Sequence, residues 1–600
     1  MYLSRIRILN FRNFSEFDVR LTGNVVVVGE NRVGKSNLLF ALRLILDPTL
    51  PDSARQLTLS DFWDGLGAPS ADDTISVSVE IKEFDDDFDV LALLTDYRLN
   101  DDANTVRLTY EFRPKAELEH EPAATADYEF VCYGGEDESK RFGHELRRKI
   151  TMDVLPALRD AEGDLAAWRR SPLRPLIEEA FREIDESDLE GIAESMEAAT
   201  AKITEFTQVK TLEKNIADLF LKMSGPRQDI GPRLGFSPTD PTRLHRNIRL
   251  LIDEGARGIG EASLGSANLV FLSLKTLEIQ QLIADNSRDH TFLAIEEPEA
   301  HLHPHLQRSV YQHLFQVVES KAIQPLSVLL TTHSPHIASV APLRSLVLLR
   351  DTEDEGTIGR STAALSLTDD EADDLARYLD VTRAEILFAR GVILVEGDAE
   401  RFLVPTFAEK LGHALDQLGI SVCSVAGTNF RPYAKFLVGL GIPFAVITDW
   451  DPRPGNKRPL GANRAIDLVS IIGSSPTGIP PTKVIEELKA TTDWGFFETR
   501  CEEFGVFTGI RTLEVDLFQE DDDFVAAIIE TLREGPFGAE RQGWIAEWES
   551  DPSALDTEKY LSLIDSIGKG RFAQRLAGRI AALDPPTYIA DAIEFVAKRV

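Results

Sequence analysis

Two stretches of this chain place carboxylates where an apolar run stops. In GVILVEGDAERF (391–402), Val392 to Val395 ends at Glu396, and Glu400 follows four residues later. In FAVITDWD (444–451), a second apolar run ends in Asp449 and Asp451. Functional groups of an open α/β sheet gather at the carboxyl ends of its strands. Asp449 and Asp451, two apart, can share one face there, and Glu400 lies one turn beyond Glu396 if a helix begins at DAERF. Four carboxylates so gathered repel one another unless divalent cations lie between them. With two Mg²⁺, or Mn²⁺ in their place, they make a site for in-line attack on a phosphodiester.

A second chemistry stands near the N-terminus. GENRVGKS (29–36) matches G-x-x-x-x-G-K-[ST], with a β-branched run before it and an amphipathic pattern after it. Such a loop cradles phosphates with its backbone N–H groups at a helix start. This makes Gly29, Asn31, Gly34, Lys35, Ser36 and Asn37 the candidate ATP contacts. Lys35 reaches the β- and γ-phosphates, and the Ser36 hydroxyl goes to Mg²⁺. TFLAIEEPEAHLHP (291–304) supplies the remaining parts at one strand end. Glu296 is placed to hold Mg²⁺ and Glu297 to polarise the attacking water. LLTTHSPH (329–336) ends another apolar run, and its His333 is placed to meet the γ-phosphate. His301, His303 and His305 follow the carboxylates directly and enter a helix at PHLQRSVYQHLF, so a dimer-facing or structural role is expected of them rather than zinc binding. GARGIG (255–260) lacks the strand a dinucleotide loop needs.

These residues need two sets of strands to hold them. Residues 1–48 read as strand, turn, strand, loop, helix. Alternation at 74–82, 105–113 and 127–133 predicts an antiparallel sheet after that helix. From 173 to 223 Gly and Pro nearly vanish and helical periodicity appears without a strict heptad, which predicts a short helical module. Helices and apolar runs alternate again from 245 to 350. Residues 351–385 read as an acidic linker that becomes helical, and from 390 onward a second α/β domain is expected.

Composition bounds the setting. The 600 residues are 43% hydrophobic and 27% charged, as in a packed globular chain. No run of 18 apolar residues suggests a membrane span, and the start MYLSRIRILNFRNF lacks the apolar block of a signal peptide. Three scattered cysteines (Cys132, Cys423, Cys501) offer no metal or disulfide spacing, so a cytoplasmic, membrane-free setting is expected. The net charge of −35 argues against a nonspecific polyanion binder, but not against a local basic groove. Candidates for that groove are 166–174, 243–249 and 451–458, each equally readable as a solvated face.

The phosphate loop, IEEPEAHLHP and TTHSPH resemble the ABC-type ATPases of the SMC and OLD (overcoming lysogenization defect) families. NFRNF and SDFWDGL (60–66) resemble OLD proteins as well, and VEGDAE with TDWD resembles the TOPRIM fold. The resemblance implies an α/β protein. An ABC-type ATPase would occupy 1–165 and 236–385, and a TOPRIM nuclease domain 386–600. The resemblance does not extend to the helical segment 173–223; the insertion 166–235 is expected to be a dimerisation module because it interrupts the ATPase without adding chemistry. The resemblance also implies a signature loop at SLGSAN (263–268), with Gly265 or Ser266 facing the phosphate of a second protomer. Asp61 would stand in for the Gln loop. Glu514 in TLEVDL becomes a further metal ligand, and Lys569 in GKGRFAQRLA stabilises developing phosphate charge. The function implied is ATP-regulated, metal-dependent DNA cleavage in defence against foreign DNA, by a homodimer or larger even-numbered assembly. A UvrD-like helicase would be the partner if the system is of the Gabija type. A topoisomerase would need a cleavage-domain tyrosine and a gate, and a primase a nucleotide-loading module; neither is seen. An SMC-like structural or signalling ATPase with a non-catalytic TOPRIM domain is the alternative.

Overall fold

Strands form where the sequence alternates or runs β-branched, and helices where apolar residues recur at three and four. The structure, a computed structural model, describes residues 1–600 except 86–87, 158–159, 225–232, 235–245, 247, 301, 320–324, 353, 366, 382, 455–456 and 474–480. Among the described residues, eleven strands make one large sheet. Half of it is antiparallel: Tyr128–Gly134, Val106–Pro114, Ile75–Lys82, Tyr2–Phe11 and Phe14–Arg20 lie side by side in that order. These include the three strands expected from alternation.

The other half is parallel, in the order Leu346–Thr352, Val25–Gly29, Leu326–Thr332, His290–Glu296 and Ile150–Leu155. Strands buried on both faces read as unbroken apolar runs. Val25–Gly29 is VVVVG and wholly buried. Helix Lys35–Leu46 packs its apolar side on this sheet, with Leu38, Leu42 and Ile45 in the core. The phosphate loop, the paired glutamates and TTHS therefore leave three adjacent parallel strands at the same edge.

The linker expected at 351–385 is corrected in its first part. Leu346–Thr352 and Gly356–Ser361 form an antiparallel hairpin, and the second strand meets Phe14, closing the two halves into one sheet. The acidic turn hid the pairing, because Asp354 and Glu355 face solvent while Val347 to Leu349 are buried. Helix Asp369–Tyr378 then fastens to the second domain. Glu371 bonds Lys435 and Arg431 on helix Arg431–Leu440.

The second sheet is four-stranded and parallel: Ile420–Ser424, Gly391–Val395, Phe444–Thr448, Val506–Thr508. Beyond Thr508 the chain is helical, and Trp548, Tyr560 and Phe572 fill the core between those helices and the sheet. One apolar core runs without interruption from Val26, Leu293 and Val328 of the large sheet to Val392, Leu394 and Phe436 of the small one.

In the chain between strands Ile150–Leu155 and His290–Glu296 come helices Leu173–Arg182, Glu186–Thr204 and Thr207–Ser224. The latter two, with the link between them, leave Ile192, Met196, Phe206, Leu212 and Leu219 exposed. The three cysteines are free and buried. Among the described residues no helix is long and apolar enough to cross a membrane.

Candidate nucleotide and metal sites

The nucleotide loop is held by its neighbours before any ligand arrives. Gly34 sits at φ 97°, and a Cβ there would fall 2.0 Å from the Asn13 amide nitrogen. Only glycine satisfies both the left-handed backbone and that close approach. Asn13 donates to Val33 O at 3.0 Å, and Asn37 donates to Asn13 at 2.6 Å. Arg12 joins Asn37 (2.8 Å) to Asp61 (2.9 Å). Asn37 thus braces the loop from behind. The other Asp61 oxygen caps Thr58, so this carboxylate belongs to the same brace. Asn31 is exposed in the loop.

Lys35 is 5% exposed and donates to Gly29 O (3.1 Å) and Glu30 O (2.8 Å). Burial drives its pKa down to about 8, against the pull of Glu297, Glu299 and Glu296. Ser36 donates to Glu296, so the two groups expected around Mg²⁺ are in contact. Glu297 occupies a left-handed backbone position (φ 42°), a strain that persists where surrounding structure enforces it. Its carboxylate meets His333 Nε2 at 2.9 Å, and His333 Nδ1 lies 3.4 Å from Lys35 Nζ. Lysine, histidine and glutamate therefore form a chain across the three strand ends.

Sequence reasoning missed Glu299. It accepts from the His333 backbone N–H (2.5 Å) and from Thr332 Oγ1 (2.9 Å), which locks the histidine loop to the carboxylate turn. His303 and His305 stack on each other at 5.6 Å, while His301 lies outside the described residues. Gly265 and Ser266 lie in the first turn of helix Leu264–Ala284, where Ser266 bonds the Ser263 cap and is exposed.

At the small sheet, three neighbouring parallel strands deliver the carboxylates. Glu396 follows Gly391–Val395, and Asp449 follows Phe444–Thr448. Glu514 lies in helix Leu513–Glu520, just after Val506–Thr508. Glu400 is in the first turn of helix Asp398–Lys410, 7% exposed, and accepts from Gly397 N at 3.1 Å. Glu396 accepts from Thr448 Oγ1 (2.5 Å) and Asp449 N (2.9 Å). Asp449 accepts from Leu513 N at 3.2 Å. Asp451 takes the left-handed conformation, φ 48°. Lys569 begins helix Lys569–Ile580 and pairs with the buried Glu514 at 3.2 Å. Asp516 accepts from Ile510 N and Arg511 N, and so shapes the loop rather than the centre.

The electrostatics are those of a crowded anionic pocket. Burial, then Glu396 and Glu400, push Asp449 up to about 9. Burial, then Glu514 and Glu396, raise Glu400 to about 7. Lys569 is raised as well; burial opposes the shift, and Glu514, Asp449 and Glu400 outweigh it. Buried oxygen donors that hold protons against their nature suit hard divalent cations. Among the described residues, however, no three acidic, His or Cys side chains stand at the spacing of a closed ligand set. A guanidinium lies between two of them instead. Arg464 touches both Glu396 and Asp451. Neither it nor Thr448 was legible in the motif spacing.

The basic clusters are largely spoken for. Arg170 pairs with Asp164 and Arg174 with Glu178, while Arg458 donates to the carbonyls of Leu488 and Lys489. Most of 243–249 lies outside the described residues. Arg453 and Lys457 remain exposed in the loop after Asp451.

A phosphate-loop ATPase sheet joined to a parallel sheet with acidic strand exits defines an ATPase–TOPRIM protein. Family comparison agrees. Residues 1–152 and 171–338 match an AAA ATPase domain, and residues 387–451 match the overcoming lysogenization defect protein-like TOPRIM domain. The chain thus belongs to the AAA ATPase domain family over more than half of its length and carries an OLD-like TOPRIM domain after it. It is 25% identical over 471 residues to the OLD nuclease of Thermus scotoductus, covering 76% of this chain and 83% of that one. It is 23% identical over 568 residues to the endonuclease GajA of Bacillus cereus, covering 89% and 91%. Among solved structures it is similar to the C-terminal region of the Burkholderia pseudomallei OLD protein, at 43% identity and a TM-score of 0.30. That match covers 35% of this chain and 98% of the other.

Proposed function

We propose that this protein is an ATP-regulated, divalent-metal-dependent DNA endonuclease acting in defence against foreign DNA. The observation that carries the nuclease reading is the convergence of Glu396, Asp449 and Glu514 from three adjacent strand ends, with Glu400 buried beside them. Bound Mg²⁺ or Mn²⁺ would activate water and neutralise charge on the phosphodiester. Glu396, Glu400, Asp449, Asp451 and Glu514 are the oxygen donors available to hold such ions. Lys569 brings a positive charge to the same pocket, where it can face a phosphoryl oxygen. Arg453 and Lys457 can contact the DNA backbone without a strongly basic surface.

ATP regulation is supported by one contact between the domains. Glu30, inside the phosphate loop, accepts two bonds from Arg390, at 2.8 and 2.9 Å. Arg390 immediately precedes the strand that ends in Glu396. Arg350 ties the same joint by donating to Arg390 O (2.8 Å) and Gly441 O (3.1 Å). A loop that reshapes around phosphates therefore pulls on the first TOPRIM strand. The exposed apolar residues of 186–224 support a second copy of this chain as partner, as a two-protomer nucleotide site would need.

The reading is tested by incubating supercoiled plasmid with purified protein. Nicking with Mg²⁺ or Mn²⁺, stopped by EDTA and restored by added metal, is expected. An intact plasmid under every metal and nucleotide condition would favour a non-catalytic TOPRIM domain.

A further inference from the structure

Arg464 is held where a cation between Glu396 and Asp451 would have to sit. Its Nη2 lies 3.0 Å from Glu396 Oε1, 2.9 Å from Asp451 Oδ2 and 2.6 Å from the Asp449 carbonyl oxygen. Its Nε donates to Thr448 Oγ1 at 3.0 Å. The side chain is 16% exposed. The placement is built into the backbone. Helix Leu460–Ile472 starts directly on the carboxylate turn, with Leu460 N on Asp451 O (3.2 Å) and Gly461 N on Trp450 O (3.0 Å). A Cβ on residue 461 would meet Asp449 O at 2.3 Å, so only glycine allows the helix this close.

The two sides of the pocket are compensated differently. Glu396 and Asp451 already share a positive charge. Among the described residues no cation pairs with the carboxylates of Asp449 and Glu400, and Lys569 is committed to Glu514. A divalent ion bridging Glu396 and Asp451 would need their oxygens at about 2.0–2.1 Å for Mg²⁺. The guanidinium holds one oxygen of each carboxylate, Glu396 Oε1 and Asp451 Oδ2, so it would stand directly beside that ion, and the two cations repel one another.

We propose that Arg464 is a positioning residue that competes with one of the two cations. It holds Glu396 and Asp451 together in the metal-free protein, and it must withdraw before a divalent ion bridges them. The Asp449–Glu400–Glu514 side accepts an ion first, and the Glu396–Asp451 side accepts one later and more weakly. The released guanidinium stays on helix Leu460–Ile472 beside the pocket, within reach of a phosphate bound there. This inference rests on the two-cation nuclease reading above.

The experiment titrates full-length protein with Mn²⁺, without nucleotide or DNA, and counts bound ions by the loss of the free-ion paramagnetic resonance signal. Ions belonging to this centre are those lost in Glu396→Ala and Asp449→Ala. The wild type should show one tighter and one weaker ion there. Arg464→Gln should tighten the weaker one about tenfold or more, on the scale of removing one unit charge a few ångström away. Arg464→Lys, which keeps the charge, should leave it weak. Loss of a merely structural arginine would loosen metal binding, so unchanged or weakened affinity in Arg464→Gln would overturn the proposal. Should Glu396→Ala and Asp449→Ala remove no ion from the wild type, the underlying two-cation reading fails instead. Circular dichroism and Mn²⁺ binding at the tighter position show that each variant is folded.

Discussion

Glu297 illustrates what a single side chain contributes at the nucleotide centre. Its carboxylate reaches His333 at 2.9 Å, while its neighbour Glu296 takes the Ser36 hydroxyl. The two adjacent acids thus face different partners, which supports the proposed division of labour, Glu296 for the metal and Glu297 for the attacking water. Glu297→Gln is expected to bind ATP but hydrolyse it about 10²–10⁴-fold more slowly. Lys35→Ala should lose nucleotide binding itself, because Lys35 is the buried cation of the loop. Both are read by ATP binding and phosphate release on the purified variants. Hydrolysis at the wild-type rate by Glu297→Gln would remove the assignment. These residues were legible because phosphate chemistry demands a fixed spacing along one segment. Glu299 and Arg464 were not, because each acts across the fold: Glu299 closes on a loop from another strand, and Arg464 reaches back from a helix. No one-dimensional spacing encodes such contacts.

At the scale of elements, periodicity gave the strands and helices that bear the motifs, since buried runs and alternation are properties of consecutive residues. The hairpin at 346–361 escaped because an acidic turn separates its strands and its pairing partner, Phe14, lies at the other end of the domain. The following helix, Asp369–Tyr378, owes its seat to Glu371. Burial alone would raise that carboxyl, but Lys435, the Thr368 N–H and Arg431 outweigh it and hold the pKa at about 2. The sign follows directly. A carboxyl near 4.5 when unfolded and near 2 when folded stabilises the fold fully above 4.5. That contribution fades as the pH falls toward 2. Thermal unfolding should therefore show Glu371→Gln destabilised by a constant margin above pH 5, with the margin shrinking below about 4.5. A margin independent of pH would mean the ion pair contributes nothing. Helices Glu186–Thr204 and Thr207–Ser224 carry a second expectation. Placing glutamate at Met196, Phe206 and Leu219 should leave secondary structure intact and convert a dimer to monomer in sedimentation velocity. A variant that stays dimeric would move the contact elsewhere.

Across the whole molecule the two centres are separate in chemistry and joined in structure. Each lies at the carboxyl edge of three adjacent parallel strands, a consequence of where such sheets leave their chain ends free. The continuous core and the Glu30–Arg390 pair join the second sheet to the first, and they are the route proposed for ATP regulation. Arg390→Ala should leave ATP hydrolysis within about fivefold of wild type, since an exposed pair is worth about 1 kcal/mol or less. The same change should reduce the effect of ATP on DNA cleavage. Equal nucleotide dependence in wild type and variant would place the coupling at another contact. The net charge of −35 adds that DNA binding should weaken only modestly with salt, through few phosphate contacts. The central claim, however, is that the acidic strand exits serve cations that cut DNA. The direct measurement compares nicking of supercoiled plasmid by wild type and by the Asp449→Ala, Asp451→Ala double variant, both with Mg²⁺ or Mn²⁺ and at equal ATPase activity. The account predicts cleavage by the wild type and none by the variant, with hydrolysis of ATP retained. Cleavage by the double variant at the wild-type rate would contradict it and leave these carboxylates a structural role.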